Sequence, residues 1–386
     1  MMRHWKIAII KDSSKPMLGL HGLHTAFRGL PNVEVVALVD SNTDNLERKM
    51  AQVQARAHYA TCQAMLAQEA PDIVVITSRH PSDHLEQIRL LAQRGCHIYC
   101  EKPVSDSLAE VDEIIRIVEA SGIKFAMAHP ARHDIAFRTM KHMIDAGAIG
   151  RPLSVVGRGK CDHRGGGEDL LVLGTHILDL QTYFFGAPES VMADIRMEGQ
   201  LAKRSDTVKT VEPIRPVIGD DIFAVFQLKN GVRSSFETRR GLYQPKQPAP
   251  HMGIRVMGTE GVLSLRFDDA GNQPLLLSRQ GCYPEDHPEF EAVALQEDRV
   301  IPGAEPLDRS LSGSPDVPHA PWFLAANRFA VWDLMRAIET DGEAIATLAD
   351  ARTVAEMIEG IYTAHLERRT LTFPLTKQAH PLVEKV

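Results

Sequence analysis

The 386-residue sequence has no long apolar run, and no stretch approaches the roughly 18 residues that a membrane-spanning helix needs. The apolar part of MMRHWKIAII is too short for a signal peptide. Positive charge is also scarce: 43 lysines and arginines against 50 acidic residues give a net charge of −7, which argues against nucleic acid or an anionic membrane as the main partner. The five cysteines form no C-x-x-C pair. We therefore expect a cytoplasmic globular protein with reduced thiols.

The sequence also lacks the glycine-rich loop that usually follows the first strand of a dinucleotide-binding domain. After the apolar residues 7–10 come eight residues, KDSSKPML, and only then two glycines, Gly19 and Gly22. We interpret this segment as an enlarged loop at the start of a helix near 19–29. In it, phosphate contacts are expected from Ser13, Ser14 and Lys15.

What is present in the first 130 residues is a regular alternation of strand-like and helix-like stretches. Helix candidates lie near 19–29, 43–55, 83–95 and 108–122, the last ending in a glycine that suits a C-cap. The strand-like stretches are IAII (7–10), VEVVALVD (33–40), DIVVITS (72–78), CHIYCEKP (96–103) and IKFAMAHP (123–130). This alternation predicts a doubly wound parallel sheet of the Rossmann type over residues 1–130.

After residue 130 the pattern changes to a helix candidate followed by a run of strand-like segments with turn signals such as KNG and GTEG. Such a run indicates a largely antiparallel sheet. A long surface loop is expected over 283–318, and helix candidates lie near 320–340 and 348–367. The predicted fold class is thus α/β, with a C-terminal α+β domain over residues 131–386.

Asp40 ends the second strand-like stretch, about 20 residues beyond the glycine region. An acid there accepts hydrogen bonds from the adenosine ribose hydroxyls and repels a 2′-phosphate. Ser41 and Asn42 follow it, with no adjacent arginine. The position favours NAD over NADP, although a turn aspartate is the structural alternative.

Glu101 and Lys102 follow another strand, in CHIYCEKP, at the edge where open α/β sheets bind ligands. Burial and nearby positive charge lower the pKa of a lysine at such a site, which suits it to acid–base work. A charged turn before a proline is the structural alternative.

The stretch CDHRGGGEDLLVLGTHILDL (161–180) combines a glycine run with a helix candidate. His176 and Asp179 share one face of that helix, and Glu168 and Asp169 lie near its positive end. Taken alone, this is a capped amphipathic helix with one packed histidine. His163, Glu168, Asp169 and His176 are metal-ligand types without a regular zinc spacing, and we predict no metal.

Together, the EKP tripeptide after a strand and a later glycine run with G-x-H-x-x-D resemble the glucose–fructose oxidoreductase/inositol dehydrogenase/MocA family. Three further segments are similar to that family: TSRHPSDHLEQI, MKHMIDAGAIGRPLSVV and ARTVAEMIEGIYTAHLERRTLTFPL. The resemblance covers nearly the whole chain. It implies hydride transfer at the domain interface between a pyridine nucleotide and a sugar or cyclitol, and a homo-oligomer formed through the C-terminal sheet.

Carried over by residue, the resemblance assigns acid–base roles to Lys102 and His176. The family aspartate four residues before the histidine is replaced by Val172, so Glu168, Asp169 or Asp179 takes over its role or the acid–base apparatus differs. Further pocket candidates are His129, Arg132 and His133. Cofactor contacts are expected from Thr77, Ser78, His80, His84 and Glu101, in addition to Gly19, Gly22, Asp40 and Ser41.

Three functions remain open at this point. The first is an NAD-dependent dehydrogenase acting on a secondary hydroxyl of a sugar, glycoside or cyclitol. The second is redox-neutral glycoside cleavage through transient oxidation, motivated by Val172. The third is a non-catalytic ligand-sensing protein with a degenerate nucleotide site, motivated by the altered glycine loop.

Overall fold

The computed structural model describes residues 3–11, 13, 21–242, 252–267, 275–281, 289–295, 297, 299–311, 322–376 and 379–383. The chain divides into two compact units. Unit 1 comprises Met1–Ser105, Glu110–Asp134 and Asp298–Ala351, and unit 2 comprises Asp106–Ala109, Ile135–Glu297 and Arg352–Val386. The units therefore differ from the contiguous stretches 1–130 and 131–386, because a late segment returns to unit 1.

Unit 1 is built on a six-stranded sheet in which every neighbouring pair is parallel, in the order β3-β2-β1-β4-β5-β6. Most of β1, β2, β4 and β5 is buried, as their continuous apolar residues predict for strands covered on both faces. The sequence patterns missed only the short β3. The strands are β1 (Trp5–Ile10), β2 (Val33–Val39), β3 (Ala57–Tyr59), β4 (Ile73–Ile76), β5 (His97–Cys100) and β6 (Phe125–Met127).

The helices largely follow the apolar periodicity of the sequence, and α2 is one that the patterns missed. The α-helices are α1 (Leu46–Val53), α2 (Cys62–Gln68), α3 (His84–Gln93), α4 (Leu108–Ser121), α5 (Ile135–Asp145), α6 (Gly167–Val172), α7 (Gly174–Phe185), α8 (Trp322–Glu339) and α9 (Leu348–Glu367). Gly122, which follows α4, has a φ of 68°, the left-handed conformation expected of a C-terminal glycine. No helix among the described residues is long and apolar enough to cross a bilayer.

The helix predicted near 19–29 is wrong in its described part. Residues 14–20 lie outside the described residues, and from Gly22 onward there is only a 3₁₀ turn, Leu23–Thr25. Gly22 precedes it with a φ of 82°, a conformation that strongly favours glycine. The apolar residues Leu23 and Phe27 still pack into the core of unit 1, so burial is satisfied without a regular helix.

Helix α8 explains why unit 1 is discontinuous. Its residues Ala330, Val331, Leu334 and Met335 are nearly fully buried in the same core as the β1 side chains Ile7 and Ile9. Apolar periodicity predicts that a helix buries one face, but it does not say against which sheet.

Unit 2 contains a ten-stranded sheet that is antiparallel except where β7 runs parallel to β13. The prediction of a largely antiparallel second sheet is therefore confirmed. Its strands are β7 (Pro152–Arg158), β8 (Pro188–Met197), β9 (Gln200–Leu201), β12 (Asp221–Leu228), β13 (Arg233–Arg239), β14 (Gly253–Gly258), β15 (Val262–Arg266), β16 (Leu276–Ser278), β17 (Glu291–Ala292) and β18 (Leu371–Thr372). A separate pair consists of β10 (Thr207–Val208) and β11 (Val217–Ile218).

Part of the surface loop predicted over 283–318 lies outside the described residues. Its described part contains β17 and a 3₁₀ turn, Arg309–Leu311. Within unit 1, the backbone N–H of Glu305 donates to the carbonyl of Gly29 at 2.8 Å, so this stretch is tied to the main fold.

Candidate active site

The carboxyl ends of the parallel strands bring the predicted cofactor residues of unit 1 to one edge of its sheet. Thr77, directly after β4, donates from its amide and its hydroxyl to the carbonyl of Ile10 at the end of β1, both at 3.0 Å. Asp40 follows β2, and Glu101 and Lys102 follow β5. Because neighbouring strands are parallel, these residues share the edge where α/β sheets bind ligands.

Asp40 is held by donors on both carboxylate oxygens. Its Oδ1 accepts from the amides of Ser13 and Asn42, each at 3.0 Å. Its Oδ2 accepts from the hydroxyl of Ser13 at 2.6 Å and from Nζ of Lys49 at 3.0 Å. Burial disfavours ionisation of Asp40, but the hydrogen bonds from Ser13 and Lys49 outweigh it and hold the pKa of this carboxyl below its usual range.

A cavity of about 330 Å³ lies beside Asp40 at the ends of β1 and β2. Gln87 on α3 also lines it, and the buried Oε1 of Gln87 has no hydrogen-bond partner among the described residues. Such an atom fits the amino group of an adenine base. The other lining residues are Ile10, Val39, Ser41, Ala60, Thr61, Cys62, Gln63, Ser82, Asp83, Glu86 and Leu90.

Glu101 lies in a cluster of basic side chains. Its Oε2 is 3.0 Å from Nδ1 of His21, and its Oε1 accepts from the amide of Lys102 at 2.9 Å. Burial would raise the pKa of Glu101, but the charges and hydrogen bond of its neighbours, including His21, Lys102 and Arg79, lower it to about 2. Burial, the largest effect on His21, lowers the pKa of that imidazole to about 4. At neutral pH His21 is therefore uncharged, and the cations that keep Glu101 ionised are Lys102 and Arg79.

His21 is fixed by residues of α8, which the sequence patterns did not connect with the EKP tripeptide. Nδ2 of Asn327 donates to the carbonyl of His21 at 2.7 Å, and Oδ1 of Asn327 accepts from the hydroxyl of Tyr99 at 2.6 Å. The ring of Phe323 stacks on that of His21, with centroids 5.9 Å apart and planes 8° apart. These contacts link Tyr99 of β5 and Asn327 of α8 to His21, just before the 3₁₀ turn, and His21 in turn contacts Glu101.

The loops after β4 and β5 are joined by His84, whose ring is fully buried. Its Nδ1 lies 2.9 Å from the carbonyl of Val104, and its Nε2 lies 2.8 Å from the carbonyl of Ser78. The amide of His80 donates to the hydroxyl of Ser78 at 3.2 Å. The contacts of His84 therefore link the loop after β4 to the loop after β5.

The three pocket candidates after β6 lie in the 3₁₀ turn Pro130–His133 or just before it. The guanidinium of Arg132 donates to the carbonyl of Ile345 at 2.8 Å and lies 3.0 Å from Asp350, so it secures the chain within unit 1. The carbonyl of His133 accepts from the side chain of Arg299. His129 is 1% exposed. Their roles as substrate contacts stay predictions.

In unit 2 the stretch 161–180 forms two helices, α6 and α7, rather than the single helix predicted. His176 and Asp179 belong to α7, at 5% and 0% exposure, and the ring of His176 lies 6.4 Å from that of Phe267. Glu168 and Asp169 belong to the six-residue α6, with Val172 buried at its end. His176 and its nearest preceding acids are therefore on different helices.

The glycine run before α6 has a packing function. A Cβ at Gly165 would lie 2.4 Å from the backbone of Arg239 and Arg240, and one at Gly166 would lie 2.3 Å from the carbonyl oxygen of Gly219. Gly166 also has a φ of 93°. The run allows α6 to approach two strand ends closely.

Glu168 and Asp169 both have partners within unit 2. The carboxylate of Glu168 accepts from the amides of Val211 and Glu212 at 3.0 Å. Asp169 accepts from the hydroxyl of Thr238 and, at 3.2 Å, from the amide of Cys161. Burial, the dominant effect, raises the pKa of Asp169.

Two of the predicted phosphate contacts, Ser14 and Lys15, and the predicted cofactor residue Gly19 lie outside the described residues. Among the residues that are described, no group of three or more His, Cys, Asp or Glu side chains is arranged to hold a metal ion. His21, Lys49, Gln87 and Asn327 were not predicted from the sequence. Lys49 lies nine residues after Asp40, and its neighbours Arg48 and Met50 give no sign of this contact.

Two family models match the chain. The one described as "Oxidoreductase family, NAD-binding Rossmann fold" covers residues 19–129, and the GFO/IDH/MocA C-terminal domain covers residues 137–264. Together they span more than half of the sequence, and the chain belongs to this oxidoreductase family. Its N-terminal unit is accordingly an NAD-binding Rossmann domain.

Two curated relatives match the chain at low sequence identity. D-apiose dehydrogenase of Paraburkholderia graminis is 27% identical over 254 residues, which are 63% of this chain and 64% of that protein. Myo-inositol 2-dehydrogenase of Thermotoga maritima is 25% identical over 236 residues, 58% of this chain and 65% of the relative. The chain thus spans somewhat less than two thirds of the length of these relatives.

Among solved structures, levoglucosan dehydrogenase in complex with NADH and L-sorbose matches with a TM-score of 0.74 at 19% identity, covering 97% of this chain and 100% of the other. An oxidoreductase from Agrobacterium radiobacter in complex with NAD⁺, L-tartaric acid and magnesium matches with a TM-score of 0.71 at 17% identity, covering 96% and 98%. At these identities the likeness shows the fold.

Proposed function

We propose that the chain is an NAD-dependent dehydrogenase that oxidises a secondary hydroxyl of a sugar, glycoside or cyclitol. The observation that carries the proposal is Lys102, which is 1% exposed and follows a parallel strand at the ligand-binding edge, next to an ionised Glu101. The names of the relatives, which act on D-apiose, myo-inositol and levoglucosan, support a polyhydroxylated substrate.

In this proposal NAD supplies the hydride acceptor when it is bound. Lys102 takes the proton of the reacting hydroxyl, and His176 orients that hydroxyl or shares the proton. The carboxylate of Glu101 keeps the Lys102 backbone in place, because it accepts a 2.9 Å hydrogen bond from the amide of Lys102. Asp179 is fully buried on α7, three residues after His176. In this proposal it holds in place the helix face that carries His176.

The adenosine of the cofactor is assigned to the cavity beside Asp40, where Gln87 has an unused acceptor. Asp40 and Ser41 face the ribose end of that cavity, which supports NAD as a cofactor. Thr77, Ser78 and His80, between β4 and α3, line the path toward Lys102 in this proposal.

The redox-neutral alternative was motivated by the altered set of acids at Val172, Glu168 and Asp169. Glu168 binds two backbone amides, and Asp169 binds a hydroxyl and an amide inside unit 2. These contacts give structural roles to both carboxylates, so no specific observation favours glycoside cleavage. A non-catalytic role gains no support from the edge either, since the edge holds a buried Lys102 next to Glu101.

The first prediction concerns Lys102. Lys102→Met replaces the ammonium by an uncharged thioether. Turnover should fall by about 10³-fold, because the hydroxyl proton loses its acceptor. The measurement is NADH absorbance with D-apiose, myo-inositol, levoglucosan and related polyols. NAD binding, followed by calorimetry, should persist in the variant.

Lys141→Met is the matched control, since Lys141 is paired with Asp145 on the surface of α5. It should keep wild-type turnover. Wild-type turnover in Lys102→Met would remove the assignment of the base. Failure of the wild-type protein to bind NAD would remove the dehydrogenase proposal itself.

The same proposal includes assembly through the sheet of unit 2. Its strands leave Met192 at 54% and Phe223 at 48% exposure, and a groove of about 450 Å³ runs over the apolar Val156, Val225 and Met257. A second copy of the chain would cover this face.

Light scattering on the purified protein should therefore give at least twice the mass of one chain. Phe223→Lys should shift the mass toward a single chain, because a lysine at a buried apolar contact loses its hydration. Val300→Lys is the control, as Val300 is 80% exposed and lies in unit 1. A wild-type protein with the mass of one chain would contradict this part.

The thiols support the cytoplasmic setting predicted for the protein. The cysteines in the described residues are free and buried: Cys62, Cys96, Cys100 and Cys161. Burial raises the pKa of Cys62, Cys96 and Cys161 to about 11, which keeps these thiols protonated and unreactive.

A further inference from the structure

The loop between β10 and β11, residues 209–216, is held against α6. The carboxylate of Glu168 accepts hydrogen bonds from the amides of Val211 and Glu212 at 3.0 Å. The end of the loop is also fixed, because β11 follows it directly and a Cβ at Gly167 would lie 2.7 Å from the backbone of β11. The β10–β11 loop is therefore bound to the first turn of the helix that precedes α7.

Arg215, near the end of this loop, holds both oxygens of one carboxylate. Its backbone amide donates to Oδ2 of Asp106 at 2.7 Å, and its Nε donates to Oδ1 at 2.8 Å. His380 adds no charge beside the pair at neutral pH, because burial and the charge of Arg215 lower the pKa of this imidazole to about 4. Charge-assisted contacts to both oxygens fix the orientation of Asp106 as well as its distance.

Asp106 begins the segment Asp106–Ala109, which belongs to unit 2 although the chain on both sides of it belongs to unit 1. The amide of Leu108 in this segment donates to the carboxylate of Glu359 on α9 at 2.9 Å, and Glu359 is 4% exposed. Contacts within unit 2 thus hold the segment at two positions. Because the segment starts four residues after Lys102, a displacement of Asp106 is transmitted along a short stretch of chain to Lys102.

Proton transfer from a hydroxyl depends on accurate placement of the acid–base residues. The heavy atoms must approach within about 2.6–3.2 Å, and a misplacement of about 1 Å lowers a rate by up to about 10²-fold. His176 lies on α7, directly after α6, and Lys102 lies shortly before the segment held by Arg215. The β10–β11 loop therefore contacts two stretches of chain that neighbour the proposed acid–base residues.

We propose that the β10–β11 loop positions the acid–base residues, and that Arg215 is a positioning residue through which the loop fixes the chain after Lys102. The inference rests on the proposed function for the part that Lys102 has in proton transfer. Arg215 acts through Asp106 and takes no part in that transfer. Removing its side chain leaves the amide bond to Oδ2 but removes the cationic donor to Oδ1.

The first test is hydrogen exchange in the full-length protein without added ligand, measured by mass spectrometry on peptides that cover residues 103–109. Arg215→Met should raise exchange of these amides by at least about tenfold, because local opening no longer breaks the charge-assisted contact. Arg215→Lys should keep exchange within about threefold of wild type, since its ammonium can donate to Oδ1 of Asp106 and every variant retains the amide bond to Oδ2.

The second test is turnover with NAD and D-apiose, myo-inositol or levoglucosan. Arg215→Met should lower kcat about tenfold and change the KM of NAD and of the polyol by less than about threefold, because the base is misplaced while the ligand contacts remain. Asp106→Asn should lower kcat to a similar degree. The double variant should lose no more than either single variant, since both substitutions remove the same contact.

The matched control is Arg352→Met. Arg352 pairs with Glu356 within α9 at 3.0 Å, and the two side chains are 27% and 9% exposed, against 31% and 10% for Arg215 and Asp106. Both substitutions should lower the melting temperature to a similar degree, but Arg352→Met should leave kcat and the exchange of residues 103–109 at wild-type values.

Two results would overturn the inference and leave the proposed function in place. One is unchanged exchange of residues 103–109, or unchanged kcat, in Arg215→Met. The other is a fall in kcat that Arg352→Met shares or that Arg215→Lys does not restore, which would make the effect one of general stability. A wild-type protein that neither binds NAD nor oxidises any of the three polyols would overturn the proposed function together with the catalytic part of the inference.

Discussion

Two buried carboxyl groups, Glu101 in unit 1 and Asp169 in unit 2, have opposite pKa shifts in surroundings of similar accessibility. Glu101 is 2% exposed and Asp169 is 0% exposed. Burial raises the pKa of Asp169, but the basic neighbours of Glu101 lower its pKa to about 2 despite burial. Asp169 is bound by a hydroxyl and an amide, whereas Glu101 faces Lys102 and Arg79.

The difference shows that the charge of the partners, as well as burial, decides in which direction the pKa of a buried acid shifts. Neutral donors stabilise a carboxylate by hydrogen bonds but leave the cost of desolvation largely in place. Cations contribute a Coulomb attraction that is stronger away from water. The edge of unit 1 is therefore organised by charge, whereas Asp169 is bound by a hydroxyl and a backbone amide.

Among the changes that test this comparison, removing the charge of Glu101 should have the largest effect on the free energy of unfolding. Glu101→Gln should lower the free energy of unfolding by about 3 kcal/mol, because Lys102 and Arg79 become buried cations without a counter-charge. Urea denaturation at neutral pH measures the change.

Asp169→Asn is the matched variant in unit 2. It should change the free energy of unfolding by no more than about 1 kcal/mol, since the amide oxygen still accepts from Thr238 and Cys161. Equal costs for the two substitutions would show that burial alone governs both sites.

A smaller effect concerns the pH dependence of stability. His21 has a pKa of about 4 in the folded protein, against an ordinary value of 6.5. The unfolded chain therefore binds a proton first as pH falls, so stability present above pH 6.5 is lost as the pH falls toward 4. Between pH 7 and pH 5 the loss from this residue is about 2 kcal/mol.

The measurement is the urea midpoint at these two pH values for wild-type protein and for His21→Gln, which keeps a donor beside Glu101 without a titrating ring. The variant should have a shallower pH dependence. His142→Gln, which removes an exposed histidine of α5, should keep the wild-type dependence. A variant as steep as the wild type would contradict the role given to His21.

The candidate site residues that follow the strand ends were predicted from the sequence, whereas the side chains that contact them were not. Asp40 and the EKP tripeptide were found because each follows an apolar strand, and the parallel order of the strands brings their carboxyl ends together. His21, Asn327 and Lys49 were missed for a different reason. His21 and Asn327 are 306 residues apart in the chain, and nothing in the local pattern of either indicates the contact.

The predicted single helix over 161–180 shows the same limit. Its apolar spacing is compatible with one helix, but the chain breaks at Leu173 between α6 and α7, where a Cβ at Gly174 would lie 2.7 Å from the ring of Phe236. Helix-forming preference is weak compared with tertiary packing, so a break of this kind is decided by neighbours distant in sequence.

By itself the sequence determined the alternation of most strands and helices, the α/β class and the residues that follow the strand ends, because periodicity and chain direction are local properties. The tertiary structure alone decided which side chains surround Asp40 and Glu101, that α8 packs in unit 1, and which groups bind Glu168 and Asp169. These outcomes depend on contacts between distant segments and on the balance of charge and burial at each carboxylate. That balance exists only once the chain has folded.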